Sequence, residues 1–141
     1  MMDLCAPIVP GESAAGLHIG QLMSEILDHQ TPTSVEHLES VTRYEFGPVW
    51  VWARNNRVDQ IGVFHGYQGG LPQGIGVGAQ MQEVQETIGD VFEDEEDNLC
   101  VVDSPGWCFE TSPWHNGQEA DKNLAAVIVG IFVSAKPKVG E

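Results

Sequence analysis

Three side chains in the second half of the chain have the chemistry of a reactive centre: Cys100, Cys108 and His115. Thiolates and imidazoles are common zinc ligands, and a Cys beside a His is the usual thiol nucleophile. Their separations of eight and seven residues match no short zinc-ligand pair, and the chain has no CxxC motif. A Cys108 nucleophile would need the fold to bring it His115 or His65, with an oxyanion-stabilising group beside them. Without that, Cys108 in "GWCFE" reads as a half-buried strand residue. His18, His29, His37, His65 and His115 form no HxH or HExxH arrangement and read as surface or hydrogen-bonded structural residues. No catalytic residue, metal site or cofactor is assigned on these grounds.

Carboxylates are the second candidate chemistry. The run "FEDEEDN", residues 92 to 98, gathers Glu93, Asp94, Glu95, Glu96 and Asp97. It lacks the spaced oxygen ligands, mid-loop Gly and twelfth-position Glu of an EF-hand, so a solvated, partner-facing acidic loop is expected in place of a calcium site. A third candidate is the glycine series in "GIGVGAQMQEVQETIG", residues 74 to 89. A phosphate cradle would need the P-loop Lys-Ser/Thr, which is absent, or a full G-x-G-x-x-G, which fails at Met81. A tight turn that starts a helix is the expected role of these glycines.

Charge narrows the partners. The chain carries 21 acids against 6 bases, a formal net charge of -15. Between Arg57 and Lys122 there are thirteen acids and no Lys or Arg. Such a field repels nucleic acid and anionic lipid and draws in basic proteins. Three cysteines, an odd number without a dense framework, suit a reducing compartment. "MMDLCAPIVPGESAAG" lacks a basic n-region and a long apolar h-region, and the longest apolar run, "LAAVIVGIFVSA", is too short to span a bilayer as a helix. A cytoplasmic protein with no membrane or direct nucleic-acid contact is the expectation.

The elements that would position these groups follow a repeated pattern. An offset of 58 residues pairs Gly16 with Gly74, Gly20 with Gly78, Met23 with Met81 and Glu25 with Glu83. Each second Gly is followed by a short amphipathic helix, through Leu22, Met23, Ile26 and Leu27 in one copy and Met81, Val84 and Ile88 in the other. Strands are expected near 41 to 53 and 57 to 64, turned by Asn55-Asn56, which tolerates the positive backbone angles of a tight hairpin. Val58, Ile61 and Val63 are echoed by Ile128, Ile131 and Val133 at an offset of 70, so "SPWHNGQEADKN" reads as an inserted loop. In the second half, Ser104-Pro105-Gly106 is the expected turn. The predicted fold is α+β, an internally duplicated helix-plus-antiparallel-sheet unit in one domain over residues 1 to 141, with pseudo-repeats at about 16 to 65 and 74 to 134. Trp50 and Trp52 alternate on one strand face, and with Phe46, Trp107, Phe109 and Phe132 they are expected to fill one core.

The G-Φ-x-Φ-G motif followed by a helix with Glu-Φ, closed by Ile88-Gly89 in the second copy, resembles the small repeated α+β units of beta-lactamase inhibitory protein and the related outer-membrane assembly lipoproteins. Those families place Ser or Thr near the helix start, where this chain has Gln21-Leu22 and Ala79-Gln80. The resemblance implies a binding scaffold without catalytic residues. An acidic single-domain chain of this kind also resembles bacterial toxin-immunity proteins.

The functional expectation is a non-enzymatic acidic binding protein, in its most concrete form an immunity protein that neutralises a basic toxin or nuclease. Glu93, Asp94, Glu95, Glu96 and Asp97 would steer the partner, and Trp114 in the polar insertion and Tyr67 in "HGYQGG" would anchor it. The alternatives are a small hydrolase, either thiol-dependent through Cys108 or metal-dependent through the acidic run, and an assembly or chaperone-like module that uses its sheets as an interaction surface.

Overall fold

The computed structural model describes residues 2–94, 98–112 and 124–136. After a two-stranded ribbon, β1 (Ser13–Ala14) and β2 (Leu17–His18), come helix α1 (Met23–Leu27) and four strands: β3 (Ser34–His37), β4 (Thr42–Phe46), β5 (Val49–Arg54) and β6 (Arg57–Phe64). Helix α2 (Met81–Thr87) is then followed by β7 (Val91–Glu93), β8 (Leu99–Val101), β9 (Ser104–Ser112) and β10 (Val127–Ser134). The last eight strands form one antiparallel sheet in the order β3-β4-β5-β6-β10-β9-β8-β7. Two four-stranded meanders thus meet along the β6–β10 seam, where Val63 opposes Ile131 and Ile61 opposes Val133.

The expected α+β fold, an internally duplicated helix-plus-antiparallel-sheet unit, is overturned, because strand takes up 45% and helix 10% of the described residues. The helices are real but short, five and seven residues, and each buries two side chains, Met23 with Ile26 and Met81 with Val84. Most of the apolar sequence went into strands, where Val, Ile and aromatic side chains pack well on a pleated surface. The strand expected near 41 to 53 is also two strands, turned at Gly47 with a φ of 67°. Ser104-Pro105-Gly106 begins β9, and the turn falls one step earlier at Asp103, whose φ is 60°. Asn55 and Asn56 turn β5 into β6 with φ values of 53° and 62°, the positive angles that a two-residue hairpin requires.

Backbone contacts in the two meanders correspond. Gly20 and Gly78, both at positive φ, donate their N–H groups to Val58 and Ile128 of β6 and β10, at 2.8 and 2.9 Å. The first helical amides, Met23 and Met81, donate to Asn56 and Ala126, each at 2.8 Å. Carbonyls just before β6 and β10 therefore satisfy the first orphan amide of each helix. On α2 the Glu83 carboxylate also accepts the Gln80 N–H at 3.3 Å. The Gly20 and Gly78 amides are thus taken up by strands, and Gly74 donates to the Leu71 carbonyl, so these amides are not available to cradle a phosphate.

One face of the sheet carries the core. Val49 and Val51, Ile61 and Val63, Phe109, Ile131 and Val133 are fully buried there against both helices, the N-terminal segment and the connector after β6. Tyr67 locks these coverings together. It is 5% exposed, its hydroxyl donates to the Ala6 carbonyl at 2.5 Å, and it accepts the Ala15 N–H at 2.8 Å. Burial pushes the phenol above its ordinary pKa, with Asp3 and Cys5 adding to the effect and the Ala15 N–H opposing it, so the group acts as a neutral donor. Tyr67 is thus a core latch, and its expected role as an exposed anchor is corrected. Tyr67→Phe removes the hydroxyl and leaves two buried backbone groups unpaired. It should lower the unfolding free energy by about 1–3 kcal/mol in urea titration, with the m-value unchanged.

Candidate functional site

The opposite face of the sheet is built from the other half of each strand's alternation. Trp50 and Trp52 of β5, Phe64 of β6 and Phe132 of β10 come together there, in the middle of the sheet. Ring centroids are 4.8 Å apart for Trp50–Phe64, 5.6 Å for Phe64–Phe132, 6.0 Å for Trp52–Phe132 and 6.0 Å for Trp50–Trp52. The four rings therefore close into a cycle, with tilted and edge-on contacts that aromatic quadrupoles favour. They are separate from Trp107 and Phe109, which stack at 5.4 Å on the core face. The expectation of one shared aromatic core is thereby corrected: Phe46 packs with the core, whereas Trp50, Trp52 and Phe132 belong to the open face.

Two glycines make this cluster fit. A Cβ on Gly62 would lie 3.0 Å from Trp52 and 3.1 Å from Phe132, and one on Gly130 would lie 2.9 Å from Phe64. In a strand interior glycine is otherwise a cost, so its presence marks the close approach of the rings. The buried faces of α1 and α2 belong to the core cluster, and neither helix covers this side. Trp50, Trp52 and Phe64 remain partly exposed, while Phe132 is 7% exposed.

Charged groups border the rings. The Arg43 guanidinium lies 4.7 Å from the Trp50 ring centroid and donates to Glu36 at 2.6 Å, with Glu45 at 3.1 Å. The half-sheet of β3 to β6 thus holds one guanidinium between an aromatic ring and two carboxylates. Glu110 of β9, opposite Gly130, brings an exposed carboxylate to the other side of the cluster.

The half-sheet of β7 to β10 is open where the first is filled. A groove of about 620 Å³ runs over it, lined among others by Phe92, Asp94, Cys100, Asp103, Trp107 and Cys108. The Asp94 carboxylate accepts the Asn98 N–H at 2.9 Å and lies 3.7 Å from the Cys100 sulfur. Burial, and secondarily the charge of Asp94, push the Cys100 thiol up to about 11. It is therefore a protonated, weakly nucleophilic group at neutral pH.

The sequence-expected site residues scatter. Asp94 lines the groove, whereas Glu93 follows Val91 on the core side of β7. Glu95, Glu96, Asp97 and Trp114, with His115, lie outside the described residues. Cys108 sits half-buried on β9 opposite Phe132, while exposed His65 lies beyond the far end of β6, ~10 Å along the strand direction from Gly62, so these two do not form a dyad. Among the described residues no three His, Cys, Asp or Glu side chains are grouped to hold a metal ion, and no helix is long and apolar enough to cross a membrane. Sequence reading missed the open aromatic face. Its signal is the glycine interrupting each of "VDQIGVF" and "VIVGIFVS", at the positions where neighbouring rings need space.

No protein-family model matches the chain, and no curated protein does. Among solved structures it is similar to the crystal structure of the uncharacterized protein yfeY from Escherichia coli, with a TM-score of 0.59 at 12% identity. The match covers 92% of this chain and 99% of that one. At that identity the likeness shows a shared fold alone.

The Cys100 environment yields a reactivity test. A pKa near 11 against the ordinary 9.0 means that the thiolate fraction at pH 8 is lower on the order of 100-fold. Iodoacetamide should therefore modify exposed Cys5 well before Cys100. The Cys100 rate should climb about tenfold per pH unit up to pH 10, and Asp94→Asn should raise it at fixed pH. Peptide-resolved mass spectrometry reads each rate.

Proposed function

We propose that the protein is a non-enzymatic binding protein that receives a basic protein partner on the open face of its sheet. The observation that supports this best is the cycle of Trp50, Trp52, Phe64 and Phe132 on the side opposite the core. Trp and Tyr are the residues most often found as interface anchors, and partly exposed rings gathered in one patch are the usual mark of a contact surface. Rings already packed on one another lose little further side-chain entropy on docking, so the platform is preorganised.

Charge selects the partner. At -15, two copies of this chain repel one another, which argues against self-association through the platform. A basic protein is attracted, and the exposed acids speed its encounter before the rings engage it. A basic toxin or nuclease, neutralised by occupation of its active surface, is the concrete form of such a partner. The short resemblance of the glycine–helix motif to inhibitory binding proteins supports the same reading. The thiol-hydrolase alternative finds no support in Cys100, whose thiol is held protonated, or in the separation of Cys108 from His65.

The test uses photo-crosslinking in the native cell extract. A benzoylphenylalanine at Gln60, which faces Trp52 and Ser134 on the open side, should capture a protein of net positive charge. Capture should fall at least tenfold with Trp52→Ala and fall with added salt, since steering is screened over ~8 Å at physiological ionic strength. The same group at Gln82, exposed on α2, should not capture it. Equal capture from both positions, or indifference to Trp52→Ala in a variant with unchanged thermal unfolding, overturns the open-face reading.

A further inference from the structure

We propose that the groove over β7 to β10 is a socket for one arginine side chain of the basic partner, an inference that rests on the open-face reading above. The first half-sheet supplies the template. There the inward pair Tyr44–Val51 is followed, one step along, by the outward pair Glu45–Trp50, and Arg43 lies over that ring. In the second half-sheet the matching inward pair is Leu99–Phe109. The residues one step along each strand are Cys100 and Cys108, where the β8–β9 register shifts, and both line the groove. Two small thiols thus stand where the first half has a carboxylate and an indole. The groove lies over these thiols and the start of β9, where the register shifts.

The groove keeps the chemistry that holds Arg43. Phe92, 46% exposed, offers ring surface, and Asp94 and Asp103 offer carboxylates. A guanidinium is planar and weakly hydrated, stacks on rings and pairs with carboxylates in a fork, so this combination suits arginine better than the compact, strongly hydrated ammonium of lysine. The local potential has the right sign, since the charge of Asp94 helps to keep the Cys100 thiol protonated. Phe132, opposite Cys108 and in contact with Trp52 and Phe64, joins the groove to the aromatic platform. A partner lying across the platform therefore brings side chains within reach of both.

The test probe is the blocked tripeptide acetyl-Gly-Arg-Gly-amide, compared with its citrulline counterpart, which has the same shape without the charge. In ¹H–¹⁵N spectra the arginine peptide should shift the amides of Phe92, Cys100 and Ser134 saturably, and the citrulline peptide should bind at least tenfold more weakly. Asp103→Asn, at a turn position with a φ of 60° that Asn readily adopts, should weaken arginine binding by three- to tenfold while the rest of the spectrum is retained. Equal binding of the two peptides, shifts confined to Trp50, Trp52 and Phe64, or no shifts at all overturns the socket. If Gln60 crosslinking still depends on Trp52 in that event, the open-face reading stands and only the socket fails.

Discussion

The β6–β10 seam is the constraint from which both faces of the molecule follow. Gly62 opposes Phe132 and Phe64 opposes Gly130 on the open side, while Ile61 opposes Val133 and Val63 opposes Ile131 on the core side. Side chains alternate with a period of two, so a one-residue slip would move every ring into the core and every β-branched residue into water. The small–large complementarity of glycine and phenylalanine fixes the register from one face, and the packing of Val and Ile on the helices fixes it from the other. The seam also joins the two meanders, so the placement of β3 to β5 relative to β7 to β9 is inherited from it.

Local sequence signals of this architecture were legible where a single backbone requirement dictates a residue type. Asn55-Asn56 announced a hairpin because few residues accept two successive positive φ angles. The Gly20 and Gly78 pairing announced corresponding turns, which appear as matched hydrogen bonds to Val58 and Ile128. The proportion of helix to sheet was not legible, because three or four periodic apolar residues support a helix of any length from one turn to three. The turn at Asp103 was misplaced because Ser104-Pro105-Gly106 carries stronger turn chemistry than the residues that turn, whereas Gly47-Pro48 is a turn signal in its own right inside the stretch expected as one strand.

The candidate site was harder to read, because it depends on which face a ring occupies. Trp50 and Trp107 look alike in sequence, each in an apolar strand, and only the cross-strand register assigns one to the open side and the other to the core. Tyr67 misled for a related reason. A glycine-rich connector suggests a surface loop, yet here the glycines let the chain run close beneath the N-terminal segment. A Cβ on Gly69 would meet the Ala6 carbonyl oxygen, and the phenol fills the space between the Ala6 and Ala15 backbone groups. Acidity was legible in total but not in direction, since Glu93 and Asp94 are neighbours in sequence and fall on different sides of the sheet.

Strand β10, with the sequence VIVGIFVS, has apolar residues on both of its faces. Such a strand is ordinarily found in a sheet covered on both sides, because half-exposed sheets show alternation between apolar and polar residues. Among the described residues the helices, the N-terminal segment and the connector pack on one side alone. The aromatic cycle gives the other side a partial solution, in which each ring shields its neighbours and Phe132 at the centre is nearly buried. That arrangement limits the apolar area left in water without removing it. The strong net charge then opposes the simplest remedy, a second copy laid face to face. The proposed basic partner would reconcile the doubly apolar strand with the acidic surface, because it would complete the second layer with a chain of opposite charge.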